Sequence, residues 1–221
     1  MVWIRNKKNN LKIEKNLIKL IKSSAKEYKY KAISNSLYKG INNFFVHSVY
    51  FVTFKEDMLK LVVWNYIKTY EADNLFWTIF DMEDNIKQRY SLRANGAYTV
   101  PSLKISECSL DITELTNLEE ASHTTMKYIF EEHNNFIESI FGDSKTFNQH
   151  LLEEKGYLRE ELIRMLANIE LQDFEEAKRM AQDEIAKGNR GGYQNNNKDI
   201  YQYILEYCEN NNLLGEGCRR L

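Results

Sequence analysis

The sequence predicts an α+β fold, with an N-terminal helix packed on an antiparallel β-meander of about four strands and an all-helical C-terminal region. Up to about residue 110, apolar residues recur first with a helical period and then with the period of two that is typical of strands. Beyond residue 111 only the helical period remains. With 221 residues, 43% of them hydrophobic, the chain is long enough to bury a core. We expect either two regions, 1–110 and 111–221, or one continuous domain.

The first predicted element is an amphipathic helix over residues 11–28. Its apolar residues recur three to four positions apart, and its lysines lie largely on the opposite face. The segment 1–31 holds ten basic and two acidic residues. A basic amphipathic helix suits a membrane surface or an acidic partner, and it also suits a docked helix with a solvated lysine face. We favour the docked helix.

The strongest strand signal lies in the middle of the first half. Residues 43–54 are apolar on both alternating faces, which is typical of a central strand. After the polar turn 55–57, residues 58–70 are again rich in β-branched and aromatic side chains. The two runs are predicted to form an antiparallel hairpin, and a short helix is predicted over 71–80.

Two weaker strands complete the predicted meander. Residues 32–39, which end before Gly40, are expected to form a strand ahead of the hairpin. Residues 96–105 are expected to form a fourth strand. Because proline cannot donate a ladder hydrogen bond, Pro101 places that strand at an edge of the sheet or beside a bulge.

The second half of the chain is predicted to be helical. Thr116 and Glu119 have the spacing of a capping box, and apolar residues then recur at helical spacing up to Gly142. Four more helices are predicted, over 145–154, 157–169, 173–187, with Asp173 as its cap, and 198–209. The glycine-rich segment 188–197 is predicted to be a helix cap and loop, and 213–221 a loose tail.

No motif for catalysis, metal binding or nucleotide binding is present in the sequence. The histidines are not in a zinc-binding arrangement, and no cysteine or serine has the setting of a known nucleophile. The glycines at 188, 191 and 192 lack the Lys-Ser/Thr of a phosphate-binding loop. We therefore predict a protein that is not an enzyme and that uses no metal and no cofactor.

Composition also excludes several classes of partner and location. The formal net charge of −2 is unlike that of a dedicated nucleic-acid binder, which would be strongly basic. There is no long uncharged apolar run and no signal-peptide pattern, so we expect neither membrane spanning nor secretion. Three scattered cysteines are too few for a disulfide framework, which indicates the cytoplasm.

The stretch 64–105 is dense in aromatic, arginine and carboxylate groups, which a ligand cleft can use. A small-ligand site, belonging to a binding protein or an enzyme, is therefore an alternative prediction, formed by Trp64, Trp77, Arg89 and Arg93. For Trp77 we favour a place in an apolar core over one in a binding pocket. The two arginines also suit a partner contact or an internal ion pair with Asp73 or Asp81.

The layout and two short runs resemble a known group of proteins. The chain reads Tyr-Glu-Ala-Asp-Asn-Leu-Phe-Trp at 70–77 and Ser-Leu-Arg-Ala-Asn-Gly-Ala at 91–97. With the order of helix and meander, these runs resemble small bacterial α+β proteins of uncharacterised families. Some of those proteins are encoded beside toxin genes as their immunity proteins. The resemblance covers about residues 11–140 and implies a protein-binding role, and no functional residue is transferred from it.

The charge distribution gives an independent reason to expect a protein partner. Residues 1–110 carry 18 basic and 10 acidic side chains, whereas 111–221 carry 12 and 22. Many acidic residues form doublets, and a negative surface attracts a cationic protein and imitates a phosphate backbone. We therefore predict a bacterial immunity protein that neutralises a cognate toxin by occluding it. The predicted contact residues are Glu131, Glu132, Glu153, Glu154, Glu160 and Glu161.

Overall fold

A computed structural model of the protein describes residues 2–55, 58–96, 98–113, 115–156 and 159–218. The chain divides into two compact units. Unit 1 comprises Met1–Ile67 and Lys104–Ser139, and unit 2 comprises Lys68–Leu103 and Ile140–Leu221. Each unit therefore takes residues from both sides of position 110, and the domain division predicted at that position stays a prediction.

The predicted α+β fold is confirmed, with an N-terminal helix, then strands, then helices. In chain order, the first part contains helix α1 and five strands of one antiparallel sheet. Their bounds are α1 Val2–Glu27, β1 Lys31–Ile33, β2 Ser36–Ile41, β3 Phe44–Lys55, β4 Met58–Thr69 and β5 Leu103–Ile112. The strands neighbour one another in the order β1-β2-β3-β4-β5. The central hairpin β3–β4 is where the sequence predicts it, although residues 56 and 57 of its turn lie outside the described residues.

The sheet has five strands rather than the predicted four. The segment predicted as one strand over 32–39 folds as two, because the chain turns between Ile33 and Ser36, which face each other in the β1–β2 pair. Ser34 takes a left-handed conformation in this turn, with φ of 50°. Gly40, predicted to end the strand, instead lies within β2 opposite Phe45.

The prediction of a strand over 96–105 is wrong in its position, since β5 begins at Leu103. Before Leu103, backbone groups that would form the hydrogen bonds of a strand are instead hydrogen-bonded to side chains of unit 2. Trp77 donates from Nε1 to the Tyr98 carbonyl at 2.6 Å, and the Val100 amide donates to Asp73 at 3.0 Å. Lys68 donates to the Val100 carbonyl at 3.0 Å. As predicted from Pro101, which precedes it, β5 lies at an edge of the sheet.

The long helix of unit 1 is α4, Leu118–Ser139. Its N-terminus is capped by Asn117, whose Oδ1 accepts from the Glu119 and Glu120 amides at 3.1 and 3.3 Å. The predicted capping box at Thr116 is therefore wrong, because Thr116 accepts a hydrogen bond from the Thr113 amide instead. The helix also ends three residues before the predicted Gly142.

Helices α1 and α4 pack along each other within unit 1, and α1 also contacts β1. Leu17, Ile21 and Ala25 of α1 are fully buried. The hydroxyls of Ser24 and Ser122 lie 3.1 Å apart in this interface. The N-terminal helix is thus a docked helix, as favoured from its stripe of apolar residues.

Unit 2 is mainly helical. Its elements are α2 Tyr70–Ile79, a 3-10 helix Glu83–Lys87, α3 Leu92–Asn95, α5 Ser144–Glu153, α6 Glu160–Glu170, α7 Phe174–Ala186, the hairpin strands β6 Gln194–Asn195 and β7 Lys198–Asp199, and α8 Ile200–Cys218. Asp173 caps α7 as predicted, accepting from the Glu176 amide at 3.1 Å. The C-terminal region is therefore not all-helical, since β6 and β7 form a short antiparallel hairpin.

Two further corrections concern the ends of this region. The predicted loose tail from residue 213 is wrong up to Cys218, because α8 continues to that residue. Extending an existing helix adds one hydrogen bond per residue without a new nucleation step. Residues 219–221, and residues 157 and 158 at the predicted start of α6, lie outside the described residues. None of the described helices has both the length and the apolar character needed to cross a membrane.

A buried histidine lies in the core of unit 1. His133 of α4 is fully buried, and its Nδ1 is 2.8 Å from the Tyr30 hydroxyl. Its ring also stacks on Tyr30, with the ring centres 5.9 Å apart. Burial lowers the pKa of His133 from 6.5 to about 3, and the charge of Lys39 acts in the same direction. The folded protein therefore holds this imidazole neutral.

This burial predicts a loss of stability in acid. Between pH 6.5 and about 3, unfolded His133 takes up a proton and the folded residue does not. The free energy of unfolding therefore falls as pH falls, by roughly 1 kcal/mol per pH unit from this group. His133→Leu should flatten that dependence in urea unfolding followed by circular dichroism. The matched control His123→Gln removes an exposed imidazole and should keep the wild-type slope; equal slopes for all three proteins would contradict the prediction.

Candidate functional site

Helices α5 and α6 form an antiparallel pair in unit 2. The start of α5 meets the end of α6, where Asn148 donates from Nδ2 to Glu170 Oε2 at 2.7 Å. At the other end, the Gly156 amide donates to Glu160 Oε2 at 2.7 Å. The apolar face of the pair is buried and includes Phe147, Leu151, Leu162, Ile163, Met165, Leu166 and Ile169. Both ends of the pair thus carry carboxylates held by neighbouring donors.

Four of the six predicted contact residues lie at the end of the pair where the chain leaves α5 and enters α6. Glu153 is the last residue of α5 and Glu154 is its C-cap, while Glu160 and Glu161 begin α6. Glu160 is paired with Arg164 at 3.4 Å. Glu154 lies 3.8 Å from the His150 imidazole, which is a cation only when protonated. Among the described residues, neither Glu153 nor Glu161 has an ion-pair partner, and both are exposed.

The other two predicted contact residues, Glu131 and Glu132, belong to α4 in unit 1. Glu131 is exposed and lies 3.7 Å from Lys127, one helical turn away. Glu132 is partly buried. The predicted set therefore divides between the two units. We call Glu153, Glu154, Glu160 and Glu161 the acidic α5–α6 end.

The opposite end of the α5–α6 pair contains an open pocket of about 470 Å³. Its volume is within the range of about 300–1,000 Å³ that is common for ligand sites. Its walls come from the start of α5 and the end of α6, and they consist of Ser144, Lys145, Asn148, Glu170, Leu171 and Gln172. The pocket lies wholly within unit 2.

Glu170 is the chemically unusual group of this pocket. Burial raises its pKa from 4.5 to about 7; the hydrogen bond from Asn148 opposes that rise, and the negative charge of Glu71 adds to it. Among the described residues, none forms an ion pair with Glu170. A carboxyl group with a pKa near 7 is partly protonated at neutral pH. A cation that binds close to it stabilises its ionised form.

The sequence analysis missed Glu170, Asn148 and Ser144. Glu170 lies between two apolar residues, and its burial depends on packing of α5 against α6. One local signal was available. The C-terminus of a helix has a partial negative charge, so an acidic residue in the last turn is unfavourable unless another group compensates it. Such local conflicts often mark functional positions.

The alternative cleft predicted at Trp64, Trp77, Arg89 and Arg93 is distributed between the units. Trp64 is in unit 1, with its ring 4.7 Å from Phe51 and near Lys104. Trp77 is buried in unit 2, where Arg93 stacks on it at 4.7 Å. Arg89 is exposed. The structure thus brings Trp77 and Arg93 together, and a ligand site formed by all four residues stays a prediction.

Arg93 forms the internal ion pair that the sequence suggested, with Asp73 rather than Asp81. Its Nη1 lies 3.1 Å from Asp73 Oδ2, and Lys68 is 2.9 Å from the same carboxylate. Asp73 is fully buried. Burial lowers the pKa of Lys68, the charge of Asp73 opposes that effect, and the charge of Arg93 adds to it. One buried carboxylate therefore compensates two cations.

In the part of the chain that the structure describes, no group of three or more histidine, cysteine, aspartate or glutamate side chains is placed to hold a metal ion. Cys108 and Cys208 are free thiols. Comparisons with protein families, with curated proteins and with solved structures find no match to the chain.

The Asp73 network predicts a large loss of stability on neutralisation. Asp73→Asn leaves the Lys68 and Arg93 charges buried without an anion, which costs about 3–5 kcal/mol of unfolding free energy. The matched control Asp81→Asn changes an exposed aspartate and should cost less than about 0.5 kcal/mol. Urea unfolding of both variants measures the difference. A small, equal loss for the two would show that Asp73 does not hold these cations.

Proposed function

We propose that this protein is a non-enzymatic protein-binding module, an immunity protein that neutralises a cognate toxin by occluding its functional surface. The observation that carries this proposal is the acidic α5–α6 end. There, Glu153 and Glu161 are exposed and have no ion-pair partner among the described residues. Elsewhere in unit 2 many carboxylates are neutralised by a neighbouring cation.

Carboxylates of α7 form ion pairs, whereas Glu153 and Glu161 of the acidic α5–α6 end form none among the described residues. Arg179 pairs with both Glu176 and Asp183, and Lys187 pairs with the buried Glu184, so each of these carboxylates has a cation beside it. At the acidic α5–α6 end, Glu153 and Glu161 form no ion pair among the described residues, although Lys155 and Arg159 belong to the same stretch of chain. An unpaired carboxylate attracts a cationic surface over a distance of about 10 Å at moderate salt.

The mechanism requires no bond making or breaking by this chain. Charge complementarity speeds the encounter and sets the orientation, and packing of the two surfaces then excludes the substrate of the toxin. A partner with a basic active surface, such as one that binds a phosphate backbone, fits this charge pattern. We place the complex in the cytoplasm, with no membrane and no nucleic acid as a partner.

A co-expression experiment tests the function. The protein is produced with the product of the adjacent open reading frame, and both growth and complex formation are measured. We expect relief of growth arrest and a one-to-one complex. Glu153→Lys with Glu161→Lys should raise the Kd about tenfold or more, because two unpaired charges are reversed. The effect should shrink as salt rises.

Two matched controls locate the surface. Glu83→Lys with Asp84→Lys reverses an exposed acidic doublet elsewhere in unit 2 and should leave the Kd near the wild-type value. Glu131→Lys with Glu132→Lys tests the doublet of unit 1. An absence of complex and of growth relief would contradict the function. A complex that tolerates reversal at Glu153 and Glu161 would contradict the surface.

A further inference from the structure

Building on the function proposed above, we propose that the pocket between the start of α5 and the end of α6 receives a cationic side chain of the partner, which pairs with Glu170. The chemical class is an alkylammonium or alkylguanidinium group on an apolar stem. The acidic α5–α6 end and this pocket lie at the two ends of one helix pair.

The geometry of the Glu170 carboxyl group leaves one oxygen available. Oε2 accepts the hydrogen bond from Asn148, and Asn148 is itself buried, which fixes the orientation of the group. Oε1 has no hydrogen-bond partner among the described residues. Glu170 is partly buried and lines the open pocket, and no cation among the described residues forms an ion pair with it. A partly desolvated carboxylate of this kind is stabilised in its ionised form by a cation that approaches it.

Other groups in the pocket suit the same ligand. Ser144 lines the pocket, and its buried Oγ has no hydrogen-bond partner among the described residues, so it can accept from an N–H donor. Leu171 gives an apolar wall for the stem of a lysine or arginine side chain. The carbonyl end of α6 at Glu170 adds a partial negative charge.

Two charged residues lie near Glu170 or line its pocket, namely Glu71 and Lys145. Glu71 of α2 adds negative charge, which raises the pKa of Glu170 further. Lys145 of α5 lines the pocket but forms no ion pair with Glu170. Hydrogen bonds from Thr146 lower the pKa of Asp143, the residue that caps α5, and the charge of Lys145 adds to this effect. The wall of the pocket therefore contains a carboxyl group with no ion-pair partner among the described residues and an exposed lysine.

Binding of a cation should depend on pH with a definite sign. Because Glu170 has a pKa of about 7, it is mostly protonated at pH 6 and mostly ionised at pH 8. A cation binds the ionised form, so affinity should rise about tenfold from pH 6 to pH 8. In return, a bound cation lowers the pKa of Glu170.

Small probes test the pocket without any partner protein. The isotope-labelled full chain is titrated with n-butylammonium, n-butylguanidinium and the neutral n-butanol at constant ionic strength, and NMR follows the Glu170 carboxyl carbon. We expect both cations to bind about tenfold more tightly at pH 8 than at pH 6 and to lower the midpoint of the Glu170 titration. The tighter cation indicates whether lysine or arginine is the natural occupant.

Matched variants separate this pocket from general screening by the acidic surface. Glu170→Gln keeps the shape of the side chain and should abolish cation binding. Glu83→Gln removes an exposed carboxylate of unit 2 that lies outside both the pocket and the acidic α5–α6 end, and it should leave binding unchanged. Ser144→Ala should weaken binding of the ammonium probe several-fold. Equal binding of n-butanol, no binding of either cation, or full binding to Glu170→Gln would overturn the assignment.

The failure of this pocket and the failure of the proposed function give different results. If the probes do not bind but the co-expressed complex forms and loses affinity when Glu153 and Glu161 are reversed, the pocket assignment is wrong and the immunity function stands. If the cations bind as described but no complex forms with the product of the adjacent reading frame, the cation pocket stands and its occupant is not that protein.

Discussion

The buried carboxylate of Asp73 is the interaction on which unit 2 depends. It joins the end of β4 through Lys68, α3 through Arg93 and the segment before β5 through the Val100 amide. Because these partners belong to separate segments, the carboxylate fixes α2 relative to all of them. Helix α2 in turn contacts α6, which carries Glu170. The position of the pocket therefore follows from a charge network that lies outside it.

Two carboxyl groups of unit 2, Asp73 and Glu170, are compensated in opposite ways. Asp73 has two cations within hydrogen-bond distance, whereas Glu170 has one amide donor and a pKa near 7. A carboxylate that is paired with cations, such as Asp73, stabilises a fold. The ionised form of an unpaired carboxylate is stabilised only when a cation binds to it. At the far end of the same helix pair, Glu153 and Glu161 extend the negative charge into solvent. We propose that the acidic α5–α6 end and the pocket together form a binding face for a cationic protein.

The elements that could be predicted from sequence are those whose signal is local. The apolar stripe of α1, the β3–β4 hairpin and the Asp173 cap of α7 each depend on residues close together in the chain, and each is present. The start of β5 could not be predicted, because side chains distant in sequence bond the backbone ahead of it. Four of the predicted contact residues form one acidic end, but Glu170 was missed, since its burial arises only when α5 packs on α6.

The measurement that tests the binding face most directly is the proton balance of complex formation at pH 7. Isothermal titration calorimetry in buffers of different ionisation enthalpy reports the number of protons released. If a partner cation pairs with Glu170, the group goes from about half protonated to ionised, so about half a proton per complex is released. The Glu170→Gln protein should release correspondingly less. An identical proton balance for the two proteins would contradict the pairing of Glu170 with a partner cation.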